Sequence, residues 1–204
     1  MDLHVVTLNT NSWASRNAID SQRAAAERWG AEYHEFTQPW CIGTDPADVF
    51  AVKFDLGDLP FEQPCRVVWL DADVMVRADC PSLFDLVPVG TFGGVVNNQD
   101  GGDLQDQVAR DYWLSVLGAL PFDSGTLLAF NPHTYINGGV LVFDLPEHGV
   151  MFANSGKFWQ RKPVNPMDEQ TLLNIWLRLY GQRSFLPATY NRLGKEAWLS
   201  GGQP

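Results

Sequence analysis

Two carboxylates separated by one residue, Asp71 and Asp73, form the pattern with the clearest chemical meaning in this sequence. They directly follow the apolar run at residues 66–70, and a second apolar run follows at 74–76. Neighbouring carboxylates repel each other, and a shared proton or a bound cation relieves the repulsion. Their oxygens suit Mn²⁺ or Mg²⁺, which would bridge the protein to phosphate oxygens. The pair therefore indicates a divalent-cation site, with a solvated acidic turn as the alternative that these residues alone leave open.

The elements that must position this pair alternate between strand and helix patterns. Apolar or β-prone runs predict strands at residues 3–8, 32–36, 66–70, 92–96 and 139–143. Helices are predicted at 12–29, between the cap Ser12 and the stop Gly30, and at about 46–59. Helical spacing also joins Leu104, Val108, Tyr112 and Val116, and later Leu172, Trp176 and Leu179, with a polar loop at 97–102.

This alternation predicts one α/β domain over residues 1–204, with a mainly parallel central sheet and helices on both faces. Sheets of this kind bind ligands beyond the carboxyl ends of their strands. Asp71 and Asp73 occupy such a position, directly after the strand predicted at 66–70.

Composition narrows the classes of function. The 204 residues are 45% hydrophobic and 19% charged, which is typical of a globular protein. A net charge of −10 argues against nucleic acid or an anionic membrane surface as a partner. Three cysteines without a C-x-x-C motif indicate neither a disulfide framework nor a zinc site. With no signal-peptide pattern and no transmembrane-length apolar run, a cytoplasmic location is expected.

Residues 66–76, Arg-Val-Val-Trp-Leu-Asp-Ala-Asp-Val-Met-Val, and Ser-Leu-Phe-Asp at 82–85 resemble the signature of family-8 retaining glycosyltransferases. That family includes glycogenin, galactinol synthase and bacterial lipooligosaccharide galactosyltransferases. Further segments in the family's order extend the resemblance from about residue 3 to residue 191. The resemblance implies a GT-A fold, a nucleotide-sugar donor, expected to be a UDP-sugar, and Mn²⁺ or Mg²⁺ bound by Asp71 and Asp73. It also implies transfer of a hexose, with retention of configuration, to a hydroxyl group of a glycan, lipid-linked or protein acceptor.

The same resemblance implies roles for further residues. Lys53, 18 positions before Asp71, would help to hold the donor and its phosphates. In the segment at 135–143, Asn137 would reach the donor sugar. Glu169 would bind sugar hydroxyls and Gln170 would lie at the reactive face of the anomeric carbon, although Asp168 leaves open which carboxylate acts. The remaining donor-binding residues implied are Thr7, Leu8, Asn9, Asn11, Ala72, Gly138 and Gly139.

One family segment has no counterpart here. The family carries a later His-x-x-Gly-x-x-Lys-Pro-Trp segment whose histidine is a third metal ligand. Only 13 residues follow Asn191, and none of them is histidine. Two interpretations are open. The chain is a shortened relative of the family, or water and phosphate complete the coordination of the metal.

Two other functions are consistent with the sequence. A nucleotide-sugar-binding protein could keep the fold with little or no catalytic activity. A haloacid-dehalogenase-type phosphatase also places Asp-x-Asp after an apolar strand, but it usually continues with Gly-Thr, whereas Val74 and Met75 follow here. The sequence is compatible with a homo-oligomer and does not specify the sugar or the acceptor.

Overall fold

Six β-strands form one mixed sheet in the part of the chain that the computed structural model describes, residues 1–10, 16–38, 51–96, 113, 131–159, 166–180, 182–187 and 190. The strands are β1 (Asp2–Leu8), β2 (Glu32–Phe36), β3 (Cys65–Leu70), β4 (Phe92–Val96), β5 (Ile136–Leu145) and β6 (Arg183–Leu186). Their order across the sheet is β2-β1-β3-β5-β4-β6.

Strand β5 runs opposite to the other five strands. It pairs antiparallel with β3 and with β4, whereas β1–β2, β1–β3 and β4–β6 are parallel pairs. Leu70 at the end of β3 is the partner of Val140 in β5. The first residues of β5 therefore lie beside the residues that follow β3, at the carboxyl edge of the parallel strands.

Helical segments cover both faces of the sheet. They are α1 (Arg16–Trp29), a 3-10 helix (Ala51–Asp58), α2 (Leu83–Leu86), α3 (Gly149–Trp159) and α4 (Pro166–Tyr180), and Pro132–Thr134 form a further short 3-10 turn. Because side chains alternate along a strand, Val5 and Val68 pack on one face with residues of α1 and α2. Val67 and Trp69 pack on the other face with the 3-10 helix, α3 and α4. Two apolar layers thus flank the sheet.

The strand predictions are confirmed, with boundaries that differ by up to three residues. Helix α1 ends where expected, because Gly30 adopts φ of 68° and Ala31 N donates a hydrogen bond to Ala26 O. The predicted helix at 46–59 is instead a 3-10 helix where it is described, at Ala51–Asp58. Its Gly57 lies so close to the Gly149 backbone that a Cβ there would come within 2.8 Å of Gly149 O.

The late helix is also confirmed, with one correction to its buried face. Leu172 and Trp176 are buried, but Leu179 is 41% exposed because α4 extends past the core near its end. Ser12, the loop at 97–102 and the helix predicted through Leu104 fall outside the described residues. Within the described ranges, no helix is long and apolar enough to cross a lipid bilayer.

Candidate functional site

A tight turn at residues 71–74 follows β3 and carries Asp71 and Asp73. Val74 N donates a hydrogen bond to Asp71 O at 2.9 Å, which closes the turn. Gln22 of α1 is fully buried, and its Nε2 donates to Asp71 O at 2.9 Å and to Val74 O at 2.8 Å. One side chain of α1 therefore holds the turn through its backbone oxygens. The carboxylates of Asp71 and Asp73 take no part in these contacts.

The Asp71 carboxylate contacts two groups from the opposite face of the sheet. Lys53 Nζ of the 3-10 helix lies 3.2 Å from both Asp71 Oδ1 and Asp71 Oδ2. Trp69 Nε1, two residues earlier on the same face of β3, donates to Asp71 Oδ1 at 2.8 Å. These contacts fix the orientation of Asp71, and Oδ2, which contacts Lys53 alone among these groups, has a second lone pair for a further partner.

Lys53 also joins Asp71 to Glu169 of α4. Lys53 Nζ is 3.3 Å from Glu169 Oε1, and both residues are almost completely buried. Glu169 Oε1 has no partner with hydrogen-bond geometry among the described residues, so the contact with Lys53 is an ion pair without a directed hydrogen bond. The three side chains form one charged cluster beneath the turn.

Burial and charge shift the pKa values in this cluster. Burial favours the neutral form of Lys53, but the charges of Asp71 and Glu169 outweigh it, and the pKa of Lys53 lies above the ordinary lysine value. Burial raises the pKa of Glu169 to about 7, with Lys53 opposing this effect and Asp71 adding to it. At neutral pH Lys53 is therefore a cation, whereas Glu169 titrates close to neutrality.

The start of β5 borders the same cluster. Gly138 N donates to Gln170 Oε1 at 2.9 Å, Gly139 N donates to Asn137 Oδ1 at 2.7 Å, and Asp71 N donates to Gly139 O at 2.9 Å. A Cβ on Gly138 would lie 2.9 Å from Lys53 Nζ and 3.2 Å from Glu169 Oε1. Glycine at 138 therefore keeps the backbone close to the cluster without displacing the ion pair.

Helix α4 is attached to β5 by buried polar contacts. Asn174 Oδ1 accepts from Ile136 N at 2.6 Å, and Asn174 Nδ2 donates to Ile136 O at 2.7 Å and to Gln170 O at 2.8 Å. Tyr135 OH and Thr171 Oγ1 share a hydrogen bond of 2.8 Å. These contacts fix the first turns of α4 against the sheet, and so they position Glu169 and Gln170.

Asp73 lies exposed on the turn. Partial burial of its carboxyl group, followed by the charge of Asp71, raises its pKa, and a nearby cation would lower it again. Among the described residues, no third histidine, cysteine, aspartate or glutamate groups with Asp71 and Asp73 closely enough to complete a protein cage. The pair fits Mg²⁺ or Mn²⁺ held by two carboxylates and completed by phosphate and water oxygens.

The residues in and directly after β1 that were expected to bind the donor differ from one another in their surroundings. Leu8 packs in the core with Trp69, and Thr7 is buried. Thr7 Oγ1 has no hydrogen-bond partner within the described part of the chain. Asn9 Nδ2 donates to Glu35 Oε1 at 2.8 Å, and Asn9 N donates to Phe36 O at 2.7 Å. Asn9 is thereby attached to the end of β2.

The structure thus brings together Lys53, Asp71, Gly138, Glu169 and Gln170, and it places Asn137, Gly139, Ala72 and Asp73 around them. Asn11 and the side chain of Asp168 fall outside the described residues, so Glu169 is the acidic residue whose contacts are seen.

Sequence reasoning assigned no role to Trp69, Gln22 or Asn174. Strand alternation could have found Trp69, because residues two apart share a face. Gln22 could have been noticed as a polar residue within the buried apolar stripe of α1. Asn174 carries no local signal for its contacts with β5, which lies 38 residues earlier.

Comparisons with known proteins give evidence for the fold. No family model matches the sequence, and no curated protein matches it. The crystal structure of a glycosyltransferase involved in glycosylation of the major capsid of PBCV-1 is similar, with a TM-score of 0.61 and 12% identity over 98% of this chain and 89% of that one. Mouse xyloside xylosyltransferase 1 is similar with a TM-score of 0.51 and 14% identity, over 99% of this chain and 91% of that one.

The bifunctional glycosyltransferase WbbM is a third similar structure, with a TM-score of 0.53 and 14% identity. The match covers 92% of this chain but only 39% of WbbM. At these identities the likeness shows the fold alone. It confirms the predicted α/β fold of the GT-A glycosyltransferase type. Membership of family 8 stays a prediction from the sequence motifs.

Proposed function

We propose that this protein is a metal-dependent glycosyltransferase that moves a sugar from a nucleotide-sugar, with a UDP-sugar as the expected donor, to a hydroxyl acceptor with retention of configuration. The observation that carries the proposal is the cluster of the buried Lys53 and Glu169 with the half-buried Asp71, beside Gly138. It lies at the sheet edge where folds of this class bind ligands. The similarity to solved glycosyltransferases supports the same class of reaction.

The charges of the site favour a donor that binds together with a divalent cation. One lysine faces three acidic groups, Asp71, Asp73 and Glu169, so the ionised site is net negative. A nucleoside diphosphate would be repelled unless a divalent ion lay between the two sets of negative groups. Asp71 and Asp73 would hold that Mn²⁺ or Mg²⁺. When bound, it supplies electrostatic stabilisation of the negative charge that develops on the leaving diphosphate.

Lys53 adds a second, permanent positive charge at the same place. Its raised pKa keeps the ammonium protonated, and its burial strengthens its electrostatic interactions, because the effective dielectric constant is lower there than in water. Together with Trp69, Lys53 also holds the Asp71 carboxylate in one orientation. We expect Lys53 to contribute both to diphosphate binding and to the geometry of the metal ligand.

Glu169, Gln170 and Asn137 would orient the donor sugar. Gln170 uses its Oε1 to accept from Gly138 N, while its buried Nε2 has no partner among the described residues. A sugar hydroxyl would satisfy that donor, and an unsatisfied buried amide is otherwise costly. Glu169 would accept a hydrogen bond from a second hydroxyl. We expect the acceptor to attack on the face from which the diphosphate leaves, with a phosphate oxygen taking the acceptor's proton.

A donor screen tests this function. Nucleotide-sugars are first ranked by thermal shift with Mn²⁺ and with EDTA, because a ligand of the folded state raises its apparent stability. Donor cleavage and transfer to simple glycosides are then followed for the best donor, and NMR determines the anomeric configuration of the product. We expect Mn²⁺-dependent turnover with retention, lost in the double variant Asp71→Asn/Asp73→Asn. The matched control is Asp79→Asn, which removes an exposed carboxylate paired with Arg77 nearby in sequence.

Each alternative function predicts a different outcome of the donor screen. Mn²⁺-dependent donor binding without cleavage or transfer would indicate a binding protein. Hydrolysis of a generic phosphate ester without nucleotide-sugar binding would indicate a phosphatase. Inversion at the anomeric carbon would contradict the proposed stereochemistry and leave glycosyl transfer intact.

A further inference from the structure

A second group of metal-ligating side chains lies on β1 and β2, away from the turn that carries Asp71. His4 in β1 is the register partner of Glu32 in β2, and Val6 is the partner of His34. Alternate residues of neighbouring strands share a face of the sheet, so His4, Glu32 and His34 project on the same side. His4 is also the partner of Val67 in β3, four positions before Asp71, so this group is separate from the candidate donor site.

The three ligand atoms lie close together. His4 Nδ1 is 3.0 Å from His34 Nε2, and Glu32 Oε2 is 3.9 Å from His4 Nδ1 and 3.8 Å from His34 Nε2. Among the described residues, these are the only three His, Cys, Asp or Glu ligand atoms that lie within 4.8 Å of one another. Ligands about 2.0–2.1 Å from a tetrahedral zinc ion are roughly 3.3 Å apart, which small side-chain movements would reach here.

The two imidazole rings are held in place by packing. His4 is buried, and Phe61 stacks on its ring with centroids 4.1 Å apart and planes inclined by 16°. The same Phe61 ring lies 4.4 Å from the ring of His34. Glu32 differs, since its side chain is 70% exposed and can move toward the histidines at little cost. The site thus combines two preoriented nitrogens with one mobile carboxylate.

The protonation state also suits metal binding. Burial lowers the pKa of both His4 and His34, against the opposing charge of Glu32. Burial thus favours the neutral ring, which is the form that binds metals, and the proposal itself rests on the geometry of the three ligand atoms. Two neutral rings that face each other share one proton between their facing nitrogens. A metal ion bound between the rings would use both facing lone pairs, and each neutral ring would carry its proton on its other nitrogen, which for His4 is the buried Nε2.

We propose that His4, His34 and Glu32 form a transition-metal site that binds one Zn²⁺-class ion, with water in the remaining position. Two imidazoles and one carboxylate suit Zn²⁺, Co²⁺ or Ni²⁺, whereas the all-oxygen pair Asp71 and Asp73 suits Mn²⁺ or Mg²⁺. Since β2 is an edge strand of the sheet, the ion would cross-link β2 to its neighbour β1. Glu35 of β2 binds Asn9, so the ion would also stabilise the segment that leads from β1 toward the candidate donor site.

Titration of the metal-free full chain with Co²⁺ tests the site, because tetrahedral Co²⁺ with nitrogen ligands absorbs visible light. The titration is repeated in the Asp71→Asn/Asp73→Asn background, which removes the other candidate metal ligands. We expect one equivalent to bind with a tetrahedral spectrum in both proteins, and Zn²⁺ to displace it. Loss of a residue that only positions a metal ligand typically weakens metal affinity about 10–100-fold, so His34→Ala should weaken binding at least ~100-fold and Glu32→Gln about 10-fold.

The control is His133→Ala, which removes an exposed histidine of the short 3-10 turn at Pro132–Thr134 and should leave the titration unchanged. The variants avoid His4 because its burial makes its replacement a risk to folding. Circular dichroism checks that each variant is folded. Equal Co²⁺ affinity in His34→Ala and the unmodified chain would overturn the proposal, as would loss of the tetrahedral spectrum in the Asp71→Asn/Asp73→Asn background.

Discussion

Replacement of Glu169 by glutamine should change how the stability of the protein depends on pH. Burial raises the pKa of Glu169 from 4.5 to about 7 in the folded chain. Folding therefore favours the protonated carboxyl group, and the stability that this provides is present below pH 4.5 and is lost as pH rises to about 7. The Glu169→Gln variant keeps the size of the side chain and removes the titration.

The size of the effect follows from the pKa change. Each pKa unit corresponds to about 1.4 kcal/mol of free energy. The rise from 4.5 to about 7 therefore corresponds to about 3 kcal/mol of unfolding free energy lost between acid and neutral pH. Relative to Glu169→Gln, the unmodified protein should lose this amount between about pH 4.5 and pH 7.5.

Urea unfolding followed by tryptophan fluorescence measures the difference at several pH values, with EDTA present so that no cation alters the charges near Asp71. His4, His34 and His148 have lowered pKa values because they are buried, and their stability contribution is lost as pH falls below about 6.5. That contribution is common to both proteins and cancels in the difference. Glu147→Gln, at an exposed carboxylate, controls for the loss of one negative charge. A difference that stays constant with pH, or grows in favour of the unmodified protein as pH rises, would refute the reasoning.

Three further substitutions have defined expectations. Gly138→Ala places a Cβ 2.9 Å from Lys53 Nζ, so nucleotide-sugar affinity measured by calorimetry should fall about 10-fold; unchanged affinity would argue against donor contact there. Asn174→Ala removes two buried hydrogen bonds between α4 and β5 and one within α4, and it should cost about 3 kcal/mol or more in urea unfolding; a loss below about 1 kcal/mol would contradict this. In the unmodified protein, Nε of the buried Arg66 lies 3.4 Å from Asp144 Oδ1, and Asp144→Ala removes this counter-charge. Thermal or urea unfolding should show that the free energy of unfolding falls by roughly 3–5 kcal/mol. Stability equal to that of the unmodified chain would show that Arg66 finds another partner.

Local patterns predicted five of the six strands and the helices α1 and α4, because each depends on residues close together in sequence, whereas α2, α3 and β6 were not predicted. The apolar run at β3 and the stop at Gly30 need only neighbouring side chains and one left-handed residue. The direction of β5 was not predicted, because strand direction depends on the whole path of the chain between β4 and β5. That direction is what places Gly138 beside Asp71, so the assembly of the site could not be derived from periodicity.

Motif resemblance predicted the residues of the central cluster, but not Trp69, Gln22 or Asn174 around it, and it predicted none of the contacts. Lys53 was expected near the donor phosphates, but its ion pairs with both Asp71 and Glu169 depend on how the 3-10 helix and α4 pack on the same face of the sheet. The group of His4, Glu32 and His34 likewise requires the register between β1 and β2. Register and packing are long-range properties, and a single sequence specifies them only through the complete fold.

Calorimetric titration of UDP tests the central claim most directly, performed with Mn²⁺ and with EDTA on the unmodified protein, Asp73→Asn and the control Asp79→Asn. The proposed site requires UDP to bind the unmodified protein and the control in the presence of Mn²⁺ and to lose most of its affinity in EDTA. Asp73→Asn should show no Mn²⁺-dependent binding. UDP affinity that is the same with Mn²⁺ and with EDTA, or that is unchanged in Asp73→Asn, would contradict a metal-dependent donor site at Asp71 and Asp73.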